Sequence, residues 1–203
     1  MDKFDPKRAY RELYAPPREF VFVEVPEFLY LAIDGNGDPN TAPEYASALE
    51  ALYPVAYSIK FASKRAGRDF VVGPLEGLWR ADDATSFVGR RKDEWSWTML
   101  IVQPEWVTPA DVADAVAAVG AKKSLPSLGL VRPLRYAEGR CVQILHVGSY
   151  DDETPTLARL HDEFMPQHGV TFNGDHHEIY LTDQRRTAPD RLRTVLRQPV
   201  RPA

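Results

Sequence analysis

The chain has 203 residues, 44% of them hydrophobic, with 25 Lys and Arg against 29 Asp and Glu and a net charge of −4. That is enough apolar material for a core, and the acidic balance, without a Lys/Arg run interleaved with aromatics, argues against nucleic acid as the main partner. A single cysteine, Cys141, excludes an internal disulfide framework and a cysteine zinc cage, and no run approaches the ~18 apolar residues that cross a bilayer.

Asp5-Pro6 is a helix start, and Pro16-Pro17 stops the short apolar stripe of Tyr10, Leu13 and Tyr14. Residues 1–18 are thus expected to form a helical arm on a body spanning 19–203. No apolar stretch follows the first basic residues, so no signal peptide is expected and the protein is read as cytoplasmic. Phe20–Val25 and Phe28–Ile33 read as two strand segments divided by Pro26. The turn Asp34–Pro39 lacks the lysine and spacing of a phosphate loop. From Thr41 to Lys64 apolar residues recur at helical spacing through Tyr45, Leu49, Leu52, Ala56 and Ile59, with Pro54 expected to kink the helix. Strands are predicted at Phe70–Trp79 and Glu94–Gln103, with Gly89–Asp93 as an exposed hairpin loop.

Thr108-Pro109 starts a helix to Lys122. Leu134–Ala137 and Cys141–Val147 read as strands joined at Glu138-Gly139, and Thr154–Gln167 as a helix with Pro155 in its first turn. In His176–Leu181 side chains alternate. His176, Glu178 and Tyr180 share one face; His177, Ile179 and Leu181 share the other, which is expected to meet the core. A last strand or extended tail covers Leu192–Gln198. The arginines from Arg185 to Arg201 read as a solvated basic edge.

The order strand, helix, strand, strand occurs twice, over about 19–104 and 130–200, with the helix at 108–122 between. Such a duplication merges two small sheets and leaves a groove where the halves meet. The segments Ala32–Pro39, Pro74–Trp79, Trp95–Met99, His176–Leu181 and Arg185–Pro189 resemble the stand-alone GyrI-like small-molecule-binding proteins, over roughly Asp5 to Val200. The resemblance implies an α+β fold: duplicated βαββ units with pseudo-two-fold symmetry, an antiparallel sheet with helices on one side, and a central ligand cleft for bulky, flat or amphipathic molecules. Relatives include effector domains of multidrug-responsive regulators, gyrase-inhibitory proteins and hydrolases that open the cyclopropane of DNA-alkylating natural products. The acidic residue that the family carries on its late strand falls on Glu178. No helix-turn-helix fits in the first 20 residues, so direct DNA binding is not expected.

Glu178 is therefore the first candidate, either as general base on water or as the charge that holds a cation; a cross-strand pair with an arginine is the plain alternative. His176 and Tyr180 flank it. Trp95, Trp97 and Met99 alternate on one strand face, and with Trp79 they offer a flat wall for an aromatic ligand or, equally, a sheet–helix core. Tyr53 and Tyr57 offer phenols from the long helix, and Tyr57 is the candidate to position water or polarise a ligand carbonyl. Glu76 is expected to mirror Glu178 from the first half. His176 and His177 point to opposite faces, and His146 and His161 give no ligand spacing, so neither a metal nor a cofactor is expected. No Gly-x-Ser-x-Gly occurs. Three functions stay open: hydrolytic opening of an electrophilic cyclopropane with Glu178 and Tyr57 as catalytic residues, drug binding or sensing without turnover, and inhibition of a topoisomerase.

Overall fold

A computed structural model describes residues 3–81 and 91–203. Two short helices, α1 (Pro6–Ala9) and α2 (Arg11–Tyr14), precede β1 (Val21–Asn36), α3 (Pro43–Arg65), β2 (Leu75–Arg80) and β3 (Ser96–Gln103). Then come α4 (Pro109–Gly120) and β4 (Arg132–Val147). A 3-10 turn at Tyr150–Glu153 leads into α5 (Thr154–Ala158), a π-helical stretch at Arg159–Phe164, and α6 (Met165–Gln167). The chain ends in β5 (Val170–Phe172), β6 (His176–Tyr180) and β7 (Arg193–Pro202). Helices and strands thus repeat as βαββ twice, β1-α3-β2-β3 and β4-helix-β6-β7, with the small β5 added in the second half.

Local chemistry explains the boundaries. Asp5 caps α1 by accepting from the Lys7 amide. Thr108 and Asp111 form a reciprocal capping box at α4. Pro54 lies inside α3, which runs on through it. Two expected breaks are absent. Pro26 does not divide β1, because there the strand pairs only with β4, and the register continues from Val25↔Gly139 to Glu27↔Ala137. Glu138-Gly139 does not divide β4, because Gly139 takes φ +67°, open to glycine, within the strand. Part of the expected hairpin loop at Gly89–Asp93 lies outside the described residues; Lys92–Glu94 is a 3-10 turn.

The named strands pair antiparallel, in the order β4-β1-β3-β2-β6-β7-β5. A further β4–β7 pairing, Cys141↔Pro199 to Val147↔Arg193, closes the sheet on itself. Instead of one open face under helices there is therefore an inside and an outside. Outward residues Leu29, Leu31, Ile33, Trp97, Met99 and Ile101 pack under α3 and α4. Inward residues Tyr30, Leu78, Leu100, Cys141, Ile179 and Val195 meet Leu13 and Tyr14 of the N-terminal helices, which plug the interior. Burying Leu13 alone stabilises that plug by roughly 1.5–3 kcal/mol.

Candidate functional site

β2 and β6 are neighbours in the barrel wall, with Gly77 opposite Glu178 and Trp79 opposite His176. Their outward side chains face a cavity of about 1330 Å³. Its other walls are the first half of α3, the turn Tyr150–Glu153 and the segment that follows β6. The predicted face of β6 is thus a cavity wall: His176, Glu178 and Tyr180 all line it.

Glu178 is largely withdrawn from water, its side chain 16% exposed. Its Oε2 accepts a hydrogen bond of 2.7 Å from the Tyr180 hydroxyl, whose oxygen accepts one of 3.0 Å from Trp79 Nε1. Gly77 makes room for this chain. A Cβ at Gly77 would stand 2.9 Å from Trp79 Nε1 and 3.2 Å from the Tyr180 oxygen. Desolvation raises the Glu178 pKa to about 7, against the opposing pull of the Tyr180 hydrogen bond and the positive charges of His177 and Lys92. His176 gives no countercharge. Burial, helped by His161 and His177, lowers its pKa to about 3, so it stands neutral 3.7 Å from the Glu178 carboxylate.

The walls are aromatic. Tyr45 stacks on Trp79 at 6.4 Å, Trp95 meets Trp79 edge-on at 5.8 Å, and Tyr150 meets Tyr180 edge-on at 5.6 Å. Flat apolar molecules find both faces and edges here. A second carboxyl, Glu153, also lines the cavity, 4% exposed, with its Oε1 lacking a hydrogen-bond partner among the described residues. Desolvation and then the charge of Glu178 raise its pKa well above the usual carboxylate range.

Of the residues predicted from sequence, Glu178, His176, Tyr180, Trp79, Trp95, Tyr53 and Tyr57 come together on this cavity. Tyr57 sits at its mouth, 46% exposed, its ring 6.2 Å from Phe61. Three residues do not reach it. Trp97 and Met99 share the outward face but lie under α3, fully buried. The Trp97 indole crosses Gly35 so closely that a Cβ there would stand 2.1 Å from the ring. Glu76 does not mirror Glu178, because its register partner is Ile179, which puts it on the inward face. There it accepts a 2.8 Å hydrogen bond from the Tyr14 hydroxyl and lies 3.0 Å from His177 Nε2. Arg197, expected on a solvated edge, is also inside, 1% exposed.

Sequence reasoning missed Glu153, Tyr45 as a stacking partner, and Tyr150. The capping box of Ser149 and Asp152 marks a helix start and could have drawn attention to the turn. Nothing in the string Asp151-Asp152-Glu153 says which acid turns inward.

The GyrI-like small-molecule-binding domain model matches residues 18–201. The chain belongs to the GyrI-like family. Among solved structures, this GyrI-like chain is similar to a hydrolase from Listeria innocua, at 37% identity and a TM-score of 0.86, over 98% of this chain and 100% of the other. An uncharacterised conserved protein from Listeria innocua has 36% identity and a TM-score of 0.91, with the same coverage. The EcmrR C-terminal domain shares the fold alone, at 11% identity and a TM-score of 0.59, over 91% of this chain and 98% of that one. No curated protein matches the chain. Among the described residues, no helix of this GyrI-like protein is long and apolar enough to cross a membrane, and no group of three or more His, Cys, Asp or Glu is arranged to hold a metal ion.

Proposed function

We propose that this GyrI-like protein is a cytoplasmic hydrolase that opens an electrophilic cyclopropane in a bulky aromatic molecule. The observation that carries the reading is Glu178, a carboxylate withdrawn from water in an aromatic cavity, with a pKa near 7 and no cation paired to it among the described residues. A carboxylate with that pKa is a stronger proton acceptor than an ordinary one and is still ionised in about half of the molecules at pH 7. The similarity to a Listeria innocua hydrolase across both chains supports the same reading.

In the proposed reaction the ligand lies against Trp79, Trp95 and Tyr45. Tyr180 fixes the Glu178 carboxylate through its 2.7 Å hydrogen bond. Glu178 draws a proton from water, and the water oxygen bonds to the strained ring carbon. Ring strain lowers the barrier, so positioning supplies much of the rest. Tyr57 meets the outer end of the ligand at the mouth, and Tyr53 and His176 complete the wall.

A second reading, drug binding without turnover, is favoured by the same unpaired carboxylate, which would hold a lipophilic cation. A time course with a spiro-cyclopropyl cyclohexadienone separates the two. Ring-opened product beyond one equivalent is expected for the enzyme. Intact compound recovered with stoichiometric binding would leave the binding reading.

A further inference from the structure

Of the carboxyl groups that line this cavity among the described residues, Glu153 and Glu178 are the two most withdrawn from water, and only one has been given a task. Glu153 ends the turn Tyr150–Glu153, which is anchored at its start by the bonds of 2.7 and 3.3 Å that Ser149 gives Asp152. Tyr150 packs that turn edge-on against Tyr180, two residues from Glu178 on β6. Glu153 is 4% exposed, and Oε1 has no hydrogen-bond partner among the described residues. A buried, unpartnered carboxyl oxygen in a cavity wall is costly unless something binds it.

The charges around it do not neutralise it. From its own turn Asp151 adds a like charge; from β6 come Glu178 and Tyr180; from β7 comes the Thr194 hydroxyl, which favours the anion. Among the described residues the cation acting on it is Lys92, which stands 3.9 Å from Asp151 and pulls weakly on both Glu153 and Glu178. Two carboxyls withdrawn from water in one cavity each oppose the other's ionisation, and environments that push such a pair apart assign one as base and the other as acid.

We propose that Glu153 is a second acid–base residue of this site, the proton donor to Glu178's proton acceptor; this rests on the hydrolytic reading above. In the step, Glu178 takes a proton from water and the water oxygen bonds to the cyclopropane carbon. The ring carbon–carbon bond breaks, and its electron pair runs into the dienone, arriving at the carbonyl oxygen. That oxygen takes the Glu153 proton and becomes a phenol. The two carboxyls finish with their protonation exchanged, and transfer of the proton from Glu178 back to Glu153 restores the pair. The net change is one water added. The matching substrate class is a neutral electrophile whose leaving electrons end on an oxygen.

The test combines turnover and titration in the full chain. With a spiro-cyclopropyl cyclohexadienone, kcat/KM of wild type is expected to be bell-shaped, rising as Glu178 ionises and falling as Glu153 does. Glu153→Gln keeps size and hydrogen-bonding but carries no transferable proton, so the alkaline limb should vanish and kcat fall by about 100-fold. Glu153→Asp should restore part of both, which a merely structural role would not do. Carbon-13 glutamate NMR reads the pair without turnover. One carboxyl should titrate well above the other, vanish in Glu153→Gln, and move to lower pH in Glu178→Gln once the neighbouring anion is gone. Glu153 titrating as an ordinary carboxyl, or Glu153→Gln turning over with the wild-type pH profile, overturns the proposal and leaves the hydrolytic reading intact. Absence of wild-type turnover overturns that reading, and with it the donor role, whatever the titration shows.

Discussion

His177 and Glu178 are consecutive residues on one strand, and the two faces they serve treat charge in opposite ways. Inside the barrel, His177 Nδ1 donates to Glu138 at 3.0 Å while its Nε2 lies 3.0 Å from Glu76. Glu138 also takes a 2.9 Å bond from Arg197, and Arg197 gives 2.9 Å to the Leu13 carbonyl and 3.1 Å to Gln143. Two acids meet two cations, all buried, and the set ties the N-terminal helices to the strands. Outside, Glu153 and Glu178 share a cavity in which, among the described residues, no cation is ion-paired to either, and Lys92 only weakly offsets their burial. Desolvation acts on both faces. Inside it is outweighed: His177 and Arg197 hold Glu138 down to about 2, and Glu138 and Glu76 lift His177 to about 9. Outside, desolvation prevails and the acids rise. Burial does not by itself make a reactive carboxylate; what decides is whether a countercharge is buried with it.

Breaking the inner set should have the largest effect on the fold. Arg197→Met removes one cation from a closed network and leaves Glu138 and Glu76 sharing His177. Loss of one partner of a buried ion pair costs about 3–5 kcal/mol, and urea unfolding should give a loss of that size. A midpoint equal to wild type would mean that the network holds nothing together.

Glu178→Gln should do the reverse. Its folded pKa is raised from 4.5 to about 7, so the native state loses stability as pH rises from 4.5 towards 7. Removing the charge should therefore stabilise the fold at pH 8 by roughly 1–3 kcal/mol and leave it unchanged at pH 4. Turnover should drop by at least about 100-fold. A variant that is active, or less stable at pH 8, would contradict the account of the outer face. The inner face has its own pH window. Glu138 contributes above its ordinary 4.5 and loses that contribution as pH falls towards 2; His177 contributes below 6.5 and loses it as pH rises towards 9. Thermal melts should show the inner network at full strength between these limits.

Gly77→Ala probes the outer face with one methyl. It would press on Trp79 Nε1 and the Tyr180 oxygen, and overpacking of this kind costs about 1–3 kcal/mol. Because the Tyr180 hydrogen bond favours the Glu178 anion, displacing Tyr180 should also move the acidic limb of the activity profile to higher pH. A stability loss with an unmoved limb would show that Tyr180 does not set the Glu178 pKa.

How much of this was legible in the sequence follows the same division. Alternation in His176–Leu181 placed Glu178, His176 and Tyr180 on one face correctly, because a strand has period two whatever packs on it. It also turned His177 inward with Ile179. Alternation could not say what covers a face. Trp97 and Met99 share the outward side with Trp79, yet α3 lies over them and leaves Trp79 on the cavity. Glu76 departs from the expected mirror position by one residue of register. The duplication suggested which strands correspond, but only the pairing Gly77↔Glu178 shows that the mirrored position is a glycine. Glu138 and Arg197 looked like a turn and a basic edge. Their burial depends on the β4–β7 pairing that closes the barrel, which no local pattern encodes.

Tyr57 gives the smallest expected effect and the sharpest contrast with Tyr180. Both are phenols on one cavity, but Tyr180 bonds to Glu178 in the wall while Tyr57 stands half-exposed at the mouth against Phe61. An exposed side chain without a buried partner changes stability by less than about 0.5 kcal/mol when replaced. Tyr57→Phe should leave the melting temperature and kcat where they are, and Tyr57→Ala should raise KM a few-fold through lost contact with the ligand's outer end. Should Tyr57→Phe instead lower kcat by 100-fold at unchanged stability, the hydroxyl at the mouth acts on the reacting atoms. The ligand would then have to bridge from Glu178 to the rim, and the division between a reactive wall and a binding mouth would fall.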